Sequence, residues 1–402
     1  MTKPATNSPT APASAQGKPV PLLDLQRQYN SIRDEVLPAI KRVCESQNFI
    51  LGLEGTALER ELAEFCGAPD AVGCASGTDA VWLALAAADV QPGDSVLTTA
   101  FSFFASASAI VRAGARPVLL DIDPLTFNLD PFQVERLLRS NSPCNARALL
   151  PVHLFGQCAD MTTFTRIASE FDLALVEDAA QGIGAQWQSE RAGSIGVTAA
   201  FSFYPTKNLS AYGEAGLVTT RDPELAARMR RLRNHGSPQR YLHEEFGWNS
   251  RLDEIQAAVL RVKLPHVAGW NDARRARAAS YDTLLRQAGL TSEHGQSSPD
   301  AQHPIALPFV SDHAYHVFHQ YVIRAHRRDG LRRYLAEHRI GTEVYYPIPL
   351  HLQPCFAYLG YSQGDLPESE RAAREALALP MFPELTEDEQ QSVVSHMADF
   401  FS

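Results

Sequence analysis

Cysteine is scarce in this sequence. Its 402 residues hold six, at positions 44, 66, 74, 144, 158 and 355, with no C-x-x-C pair and no regular spacing. This pattern excludes a disulfide framework and a thiolate zinc site, and it predicts reduced thiols in a cytoplasmic protein. Long apolar runs are also missing; none approaches the roughly 20 residues of a membrane-spanning helix. Positive charge is in deficit, with 36 Lys and Arg against 46 Asp and Glu and a net charge of −10. That balance argues against nucleic acid or an anionic membrane as the main partner. One local exception, "RMRRLRNHG" at 228–236, could hold a phosphorylated small molecule or simply form a solvated helix end. Metal motifs fail. "HEEFG" at 243–247 lacks the second histidine of H-E-x-x-H, and "HAYHVFH" at 313–319 spaces its histidines in steps of three. A strand cannot turn all three to one face, so they read as strand and rim histidines, and no metal is expected.

Ordinary globular material fills the remainder: 45% of residues are hydrophobic and 20% charged. Residues 1–18 are rich in Pro, Ala, Ser and Thr and predict a disordered tail. Between about 70 and 220, short apolar runs alternate with helical patterns, which predicts βαβ units and a largely parallel sheet covered on both faces. "GVTAAFSFYPTK" and "GLVTT" lie too close together for a helix between them, so the sheet should be mixed. Beyond 220 come helices at 222–233, 251–264 and 266–287. After a polar stretch at 290–304 the chain reads as strand ("HVFHQYVIRA"), helix, strand ("GTEVYYP") and two helices, the last opened by a capping box of Thr386 and Glu389. The expected organisation is a tail (1–18), a large α/β domain (19–265) and a smaller α+β domain (266–402).

Ligands of parallel sheets bind beyond the carboxyl ends of the strands. The first strand is followed by "SGTDA", whose Gly77 and Thr78 open a helix and offer free N–H groups to a phosphate. The second leads to Phe103, placed to lay a ring over a flat ligand. "VEDAAQG" ends a strand with Asp178, a carboxylate that needs a cationic or protonated partner if buried. Gln181 follows one turn on. "FSFYPTKNLSAYGEAG" then brings Ser202 and Lys207. A lysine after an aromatic run is either an ordinary turn lysine or an amine desolvated for nucleophilic attack. A phosphate cradle, an aromatic plate, a buried carboxylate and a lysine on successive strand ends favour the second, because together they are the parts of a pyridoxal phosphate site.

The segments "ASGTDA", "AFSFFASASAI", "VEDAAQ", "FSFYPTKNLSAYG", "LRNHG", "GWNSRLDEIQAAVL" and "YYPIPLH" resemble the DegT/DnrJ/EryC1/StrS family of sugar aminotransferases, from about residue 20 to 398. The resemblance implies the aspartate-aminotransferase-like fold, pyridoxal phosphate fold type I, with a mostly parallel seven-stranded sheet. It implies Lys207 as the catalytic, Schiff-base lysine and Asp178 as the partner of the pyridine nitrogen. Gln181 would sit beside the ring and Phe103 on it, with Gly77, Thr78 and Ser202 holding the phosphate. Asn249 would reach the phosphate of the other subunit's site, making a homodimer with shared active sites. Gly213-Glu214-Ala215-Gly216 stands where the family usually has Gly-Asp-Gly-Gly, and "YYP" replaces the more usual His-Tyr-Pro.

The implied activity is transfer of an amino group from L-glutamate to a nucleotide-linked keto-sugar. "PVHLFGQCADM" and "NSRLDEIQAAVLRVKL" look most like members that aminate C3 of a dTDP-3-keto-6-deoxyhexose or a UDP-3-keto-sugar. Amination at C4, a cyclitol or aminoshikimate-type substrate, and a catalytically silent regulator on the same fold are the alternatives.

Overall fold

The structure, a computed structural model, describes residues 18–140, 144–292 and 297–402; all but the last residue of the expected tail lies outside the described residues. Two helices come first, before the expected alternation, α1 (Leu25–Ser46) and α2 (Leu53–Cys66). Asp24 caps α1 by accepting from the N–H groups of Gln26 and Arg27, and Gly67 ends α2 in the left-handed conformation.

The alternation then proceeds as β1 (Asp70–Cys74), α3 (Gly77–Ala87), β2 (Ser95–Thr99), α4 (Phe104–Arg112), β3 (Arg116–Leu120) and α5 (Pro131–Arg139). Next come β4 (Ala146–Leu150), α6 (Met161–Glu170), β5 (Ala174–Asp178), a hairpin of β6 (Gln186–Trp187) and β7 (Glu190–Arg191), β8 (Thr198–Ser202) and β9 (Gly216–Thr220). Seven of these strands form one sheet in the order β1-β9-β8-β5-β4-β2-β3. Pairing is parallel from β8 to β3, whereas β9 runs antiparallel to both β8 and β1. The sheet is therefore mixed, as the short gap before "GLVTT" requires. Every residue of β2 and β9 is buried, the mark of strands covered on both faces. Helix α3 is buried nearly all round and packs on β8 and β9.

Three helices follow: α7 (Pro223–Leu232), α8 (Glu254–Lys263) and the long α9 (Val267–Gln287). A second, three-stranded sheet in the order β10-β12-β13 is built from β10 (Ile305–Ala306), β12 (Tyr321–Ala325) and β13 (Ala376–Leu379). β11 (Ala314–Tyr315) pairs with the β6–β7 hairpin instead. Helices α10 (Arg328–Glu337), α11 (Pro367–Glu375) and α12 (Glu387–Phe401) complete the chain. Tyr281, Ile323, Leu335, Leu377, Val393 and Met397 belong to one buried cluster in this region. The capping box of Thr386 and Glu389 opens α12 as expected.

Two expected strands differ. In "HVFHQYVIRA" the ladder begins only at Tyr321, because Phe318 has a φ of 43° and the carbonyls around it bond to side chains rather than to a neighbouring strand. "GTEVYYP" pairs through a single bridge, Glu343 with Ala378, and Tyr346 turns out of any ladder with a φ of 59°. The strand that does pair there is β13, at the end of a stretch that reads as helix in the sequence.

Candidate active site

The carboxyl ends of β1, β2, β5 and β8 open into one cavity of about 510 Å³. Gly77, Thr78, Phe103, Asp178, Gln181, Ser202 and Lys207 all line it. Asn249 does not; it is exposed, five residues before the start of α8, and bridges to Asn234.

One end of the cavity gathers hydrogen-bond donors. Ser76 caps α3 by accepting from the N–H of Asp79, leaving the first turn of the helix open toward the cavity at Gly77 and Thr78. Only glycine fits at 77, where a Cβ would stand 2.5 Å from the Cβ of Ser202. Gly216 of β9 is held to the same rule, since its Cβ would fall 2.2 Å from the carbonyl oxygen of Ser76. Close packing of three segments thus brings backbone N–H groups, a threonine and a serine hydroxyl together, the donor set that a phosphate takes.

At the other end stands Asp178, buried at the last position of β5. Its Oδ2 accepts from the hydroxyl of Ser106 at 2.7 Å and its Oδ1 from the N–H of Ala180 at 3.2 Å. Ser106 in turn shares a 3.0 Å bond with Ser102. Burial pushes the Asp178 carboxyl above its usual range, against the pull of these donors and of Lys207. Among the described residues it has no ion pair, so the carboxylate is available to a protonated ligand. The strand end is pinned from behind. Glu177, wholly buried, accepts from the N–H groups of Gly193, Ile195 and Gly196 and from His153 Nε2. The N–H of Ala159 donates to His153 Nδ1, which leaves the ring proton on Nε2, facing Glu177.

Lys207 sits in the turn after β8, closed by the bond of its own N–H to the Tyr204 carbonyl. Burial pushes its amine down to about 8, with Asp178 pulling the other way. An ordinary turn lysine would stay near 10.5. Phe103, at the N-cap of α4, exposes 61% of its surface in this hollow. Gln181 is fixed at both ends of its amide: Oε1 accepts from the N–H of Phe155 at 2.6 Å and Nε2 donates to the Tyr346 hydroxyl at 2.9 Å. Tyr346 rests on Phe155 and edge-on to Phe101, a buried aromatic floor under that corner.

Several of these groups escape a sequence reading. Ser106 lies one helical turn from Ser102, a spacing visible in "FSFFASAS" but mute without the knowledge that Asp178 lies above it. Tyr346 keeps the tyrosine of His-Tyr-Pro, beside the departure at Tyr345, and nothing along the chain tells that it meets Gln181. His316 and His319, expected as strand and rim residues, are buried, and His319 lines the cavity. The arginines of "RMRRLRNHG" are engaged within the chain: Arg230 with Asp70, Arg233 with Glu59, and Arg228 and Arg231 with Glu245. They brace α7 against neighbouring elements as ion pairs within the chain.

The family model described as the DegT/DnrJ/EryC1/StrS aminotransferase family matches residues 30–398. A "Pleiotropic regulatory protein" of Geobacillus stearothermophilus is 49% identical over 95% of this chain and 98% of its own length. A "UDP-N-acetyl-3-dehydro-alpha-D-glucosamine 3-aminotranferase" of Acidithiobacillus ferrooxidans is 41% identical over 93% of this chain and 96% of its own. Among solved structures, S. venezuelae DesV in complex with a ketimine intermediate superposes with a TM-score of 0.89 at 42% identity, covering 96% of this chain and 99% of that one.

Proposed function

The chain belongs to the DegT/DnrJ/EryC1/StrS aminotransferase family, and from that premise we propose that it moves an amino group from L-glutamate to C3 of a nucleotide-linked 3-keto-sugar, UDP- or dTDP-linked, as a cytoplasmic homodimer. The observation that carries the reading is the meeting, in one cavity, of a depressed lysine amine with a buried carboxylate that has no ion pair.

The residues fit pyridoxal phosphate, the family's cofactor: an anion seat at one end, a carboxylate for a protonated ring nitrogen at the other, and a lysine between. When bound, that group supplies an electron sink for the carbon that gains or loses the amine. The protein does the remainder. Gly77, Thr78 and Ser202 would hold the phosphate, Phe103 would cover one face of the ring, and Gln181 would border it. Asp178 would keep the ring nitrogen protonated, its own orientation set by Ser106 and Ala180. Lys207 would hold the cofactor's aldehyde carbon and, once released, would take or return the proton at the carbon that loses or gains the amine, a task suited to an amine that titrates near the working pH. Asn249, exposed and outside its own cavity, would complete the partner's phosphate seat. The neighbouring Tyr241, Phe246 and Trp248 are strongly exposed, as a surface covered by a second copy would be.

The 3-aminotransferase relative supports C3 as the site of amination. The regulatory name carried by another relative supports a second reading, a scaffold on this fold. A scaffold has no use for a lysine pushed to about 8 beside a buried carboxylate, and that favours the enzyme. The deciding experiment supplies purified protein with pyridoxal phosphate, L-glutamate and a panel of UDP- and dTDP-linked 3-keto- and 4-keto-sugars, with product carbons assigned by NMR. A C3 amine is expected; a C4 amine overturns the regiochemistry, and no product from any sugar overturns the substrate class.

A further inference from the structure

Lys207 is followed by Asn208, and the side chain of Asn208 is buried in a network that determines the state of a histidine on the cavity wall. Asn208 Nδ2 donates to the Val317 carbonyl at 3.2 Å and to Asn271 Oδ1 at 2.8 Å. A carbonyl oxygen can only accept, so the nitrogen of the Asn208 amide must lie on that side. Asn271 is fixed the same way, its Nδ2 donating to the Ile183 carbonyl at 3.0 Å. The oxygen of the Asn208 amide therefore faces His319 Nδ1, at 3.1 Å, and can only accept from it. The ring proton is on Nδ1, and Nε2 carries a bare lone pair.

The backbone around this ring is clamped as well. Arg274, one turn beyond Asn271 on α9, donates through Nη1 to the carbonyls of Phe318, His319 and Met381. That clamp holds Phe318 at its left-handed φ of 43°, a conformation a non-glycine residue seldom keeps without support. Among the described residues Nε2 of His319 makes no hydrogen bond. The ring lines both the main cavity, with Lys207, and a side crevice of about 100 Å³ between the N-terminal segment and β13.

We propose that His319 is a positioning residue for Lys207: its Nε2, free among the described residues and on the same cavity wall, takes an N–H of the Lys207 amine when that side chain turns toward it, with Asn208 and Asn271 locking the tautomer that makes this possible. The inference rests on the aminotransferase reading. Burial and the nearby cations Lys207 and Arg274 keep the ring far from protonation, so the acceptor persists across the working pH range. Glu214, Asp178 and the Tyr204, Tyr345 and Tyr346 hydroxyls are the other ionisable groups on the same cavity wall.

The test compares wild type with His319→Gln and His319→Asn in the cofactor-free protein. Glutamine puts a carbonyl oxygen about where Nε2 stands; asparagine keeps only a donor toward Asn208. The readout is the pH midpoint at which Lys207 captures the aldehyde of pyridoxal phosphate, trapped by borohydride and located by mass mapping. Removing an acceptor from an ammonium lowers its pKa, so the midpoint should fall by about one pH unit in His319→Asn and stay near wild type in His319→Gln. In the loaded enzyme, kcat should fall about tenfold or more in His319→Asn, and less in His319→Gln, with the KM for glutamate little changed. Equal midpoints in all three proteins, or a loss confined to His319→Gln, would overturn the proposal. Ring-nitrogen NMR of the wild type is independent of any variant's folding: His319 should show protonated Nδ1 and bare Nε2 from pH 6 to 9, and the opposite tautomer overturns the lock. A wild type that captures no aldehyde at Lys207 would instead defeat the aminotransferase reading, leaving the spectrum alone to decide the tautomer.

Discussion

Replacing Asp178 with asparagine should leave the fold intact and remove most of the activity. The geometry sets both halves of that expectation. The Ala180 N–H continues to need an acceptor, so the amide oxygen takes the place of Oδ1 and the amide nitrogen the place of Oδ2. Ser106 then rotates its hydroxyl to accept from that nitrogen and to donate to Ser102, a reversal their 3.0 Å contact allows. No buried polar atom is orphaned. In the cofactor-free protein the variant should equal or exceed the wild type in thermal stability at pH 8, because a buried charge has gone. The sign follows from the shift. Burial raises the folded-state pKa of Asp178 above its ordinary 3.8, so the wild type gains stability as pH falls through that raised pKa, and the gap to the variant closes on acidification. Turnover moves the other way. An amide cannot hold a proton on a ring nitrogen, and breaking a buried charge pair costs about 3–5 kcal/mol, or about 10²–10⁴ in rate. The assay pairs differential scanning calorimetry of the cofactor-free proteins with single-turnover kinetics on glutamate. Wild-type rates in the Asn variant would show Asp178 to be a structural carboxylate; a variant unfolded without cofactor would refute the rotation of Ser106.

Capture of pyridoxal phosphate by Lys207 should rise about tenfold per pH unit up to about 8 and then level off, since only the neutral amine attacks; a rate still climbing at pH 10 would mean an ordinary exposed lysine. Mixing Lys207→Ala with Asn249→Asp subunits should restore up to about a quarter of wild-type activity after verified exchange, because random pairing gives half the dimers one intact site. Continued inactivity would mean that each site is built from one chain. Gly77→Ala should weaken cofactor binding measured by equilibrium dialysis and lower the melting temperature, since the added carbon must displace Ser202; unchanged values would mean that the α3 turn yields freely.

Where local chemistry and position coincide, the sequence was legible. Strand ends carrying Asp178 and Lys207, a Gly-Thr helix start and the tight β8–β9 gap could all be read, because each follows from the neighbours along the chain. What escaped reading depends on residues remote in sequence. Ser106 gains its role from a strand more than 70 residues away, and His319 from an amide beside Lys207. "HVFHQYVIRA" has strand composition throughout, yet Arg274 and Asn208 claim the carbonyls of residues 317–319 and delay the ladder to Tyr321. Helix α1 carries an ordinary amphipathic stripe, Ile32, Val36, Ala39 and Val43, which rests partly on α8, yet neither α1 nor α2 belongs to the βαβ alternation that makes the rest readable.

The position of β1 has a consequence for synthesis on the ribosome. It stands at the edge of the seven-stranded sheet, and β9 is its sole partner there. Residue 74 leaves the ribosome long before residue 216; at about 5–20 residues per second the wait is roughly 7–28 s. Through that interval the nascent chain carries a strand with no mate, and the loop at Gly77 has neither Ser202 nor Gly216 against it. The proposed phosphate seat is thus one of the last parts of the large sheet to exist, although half of it is among the first to be made.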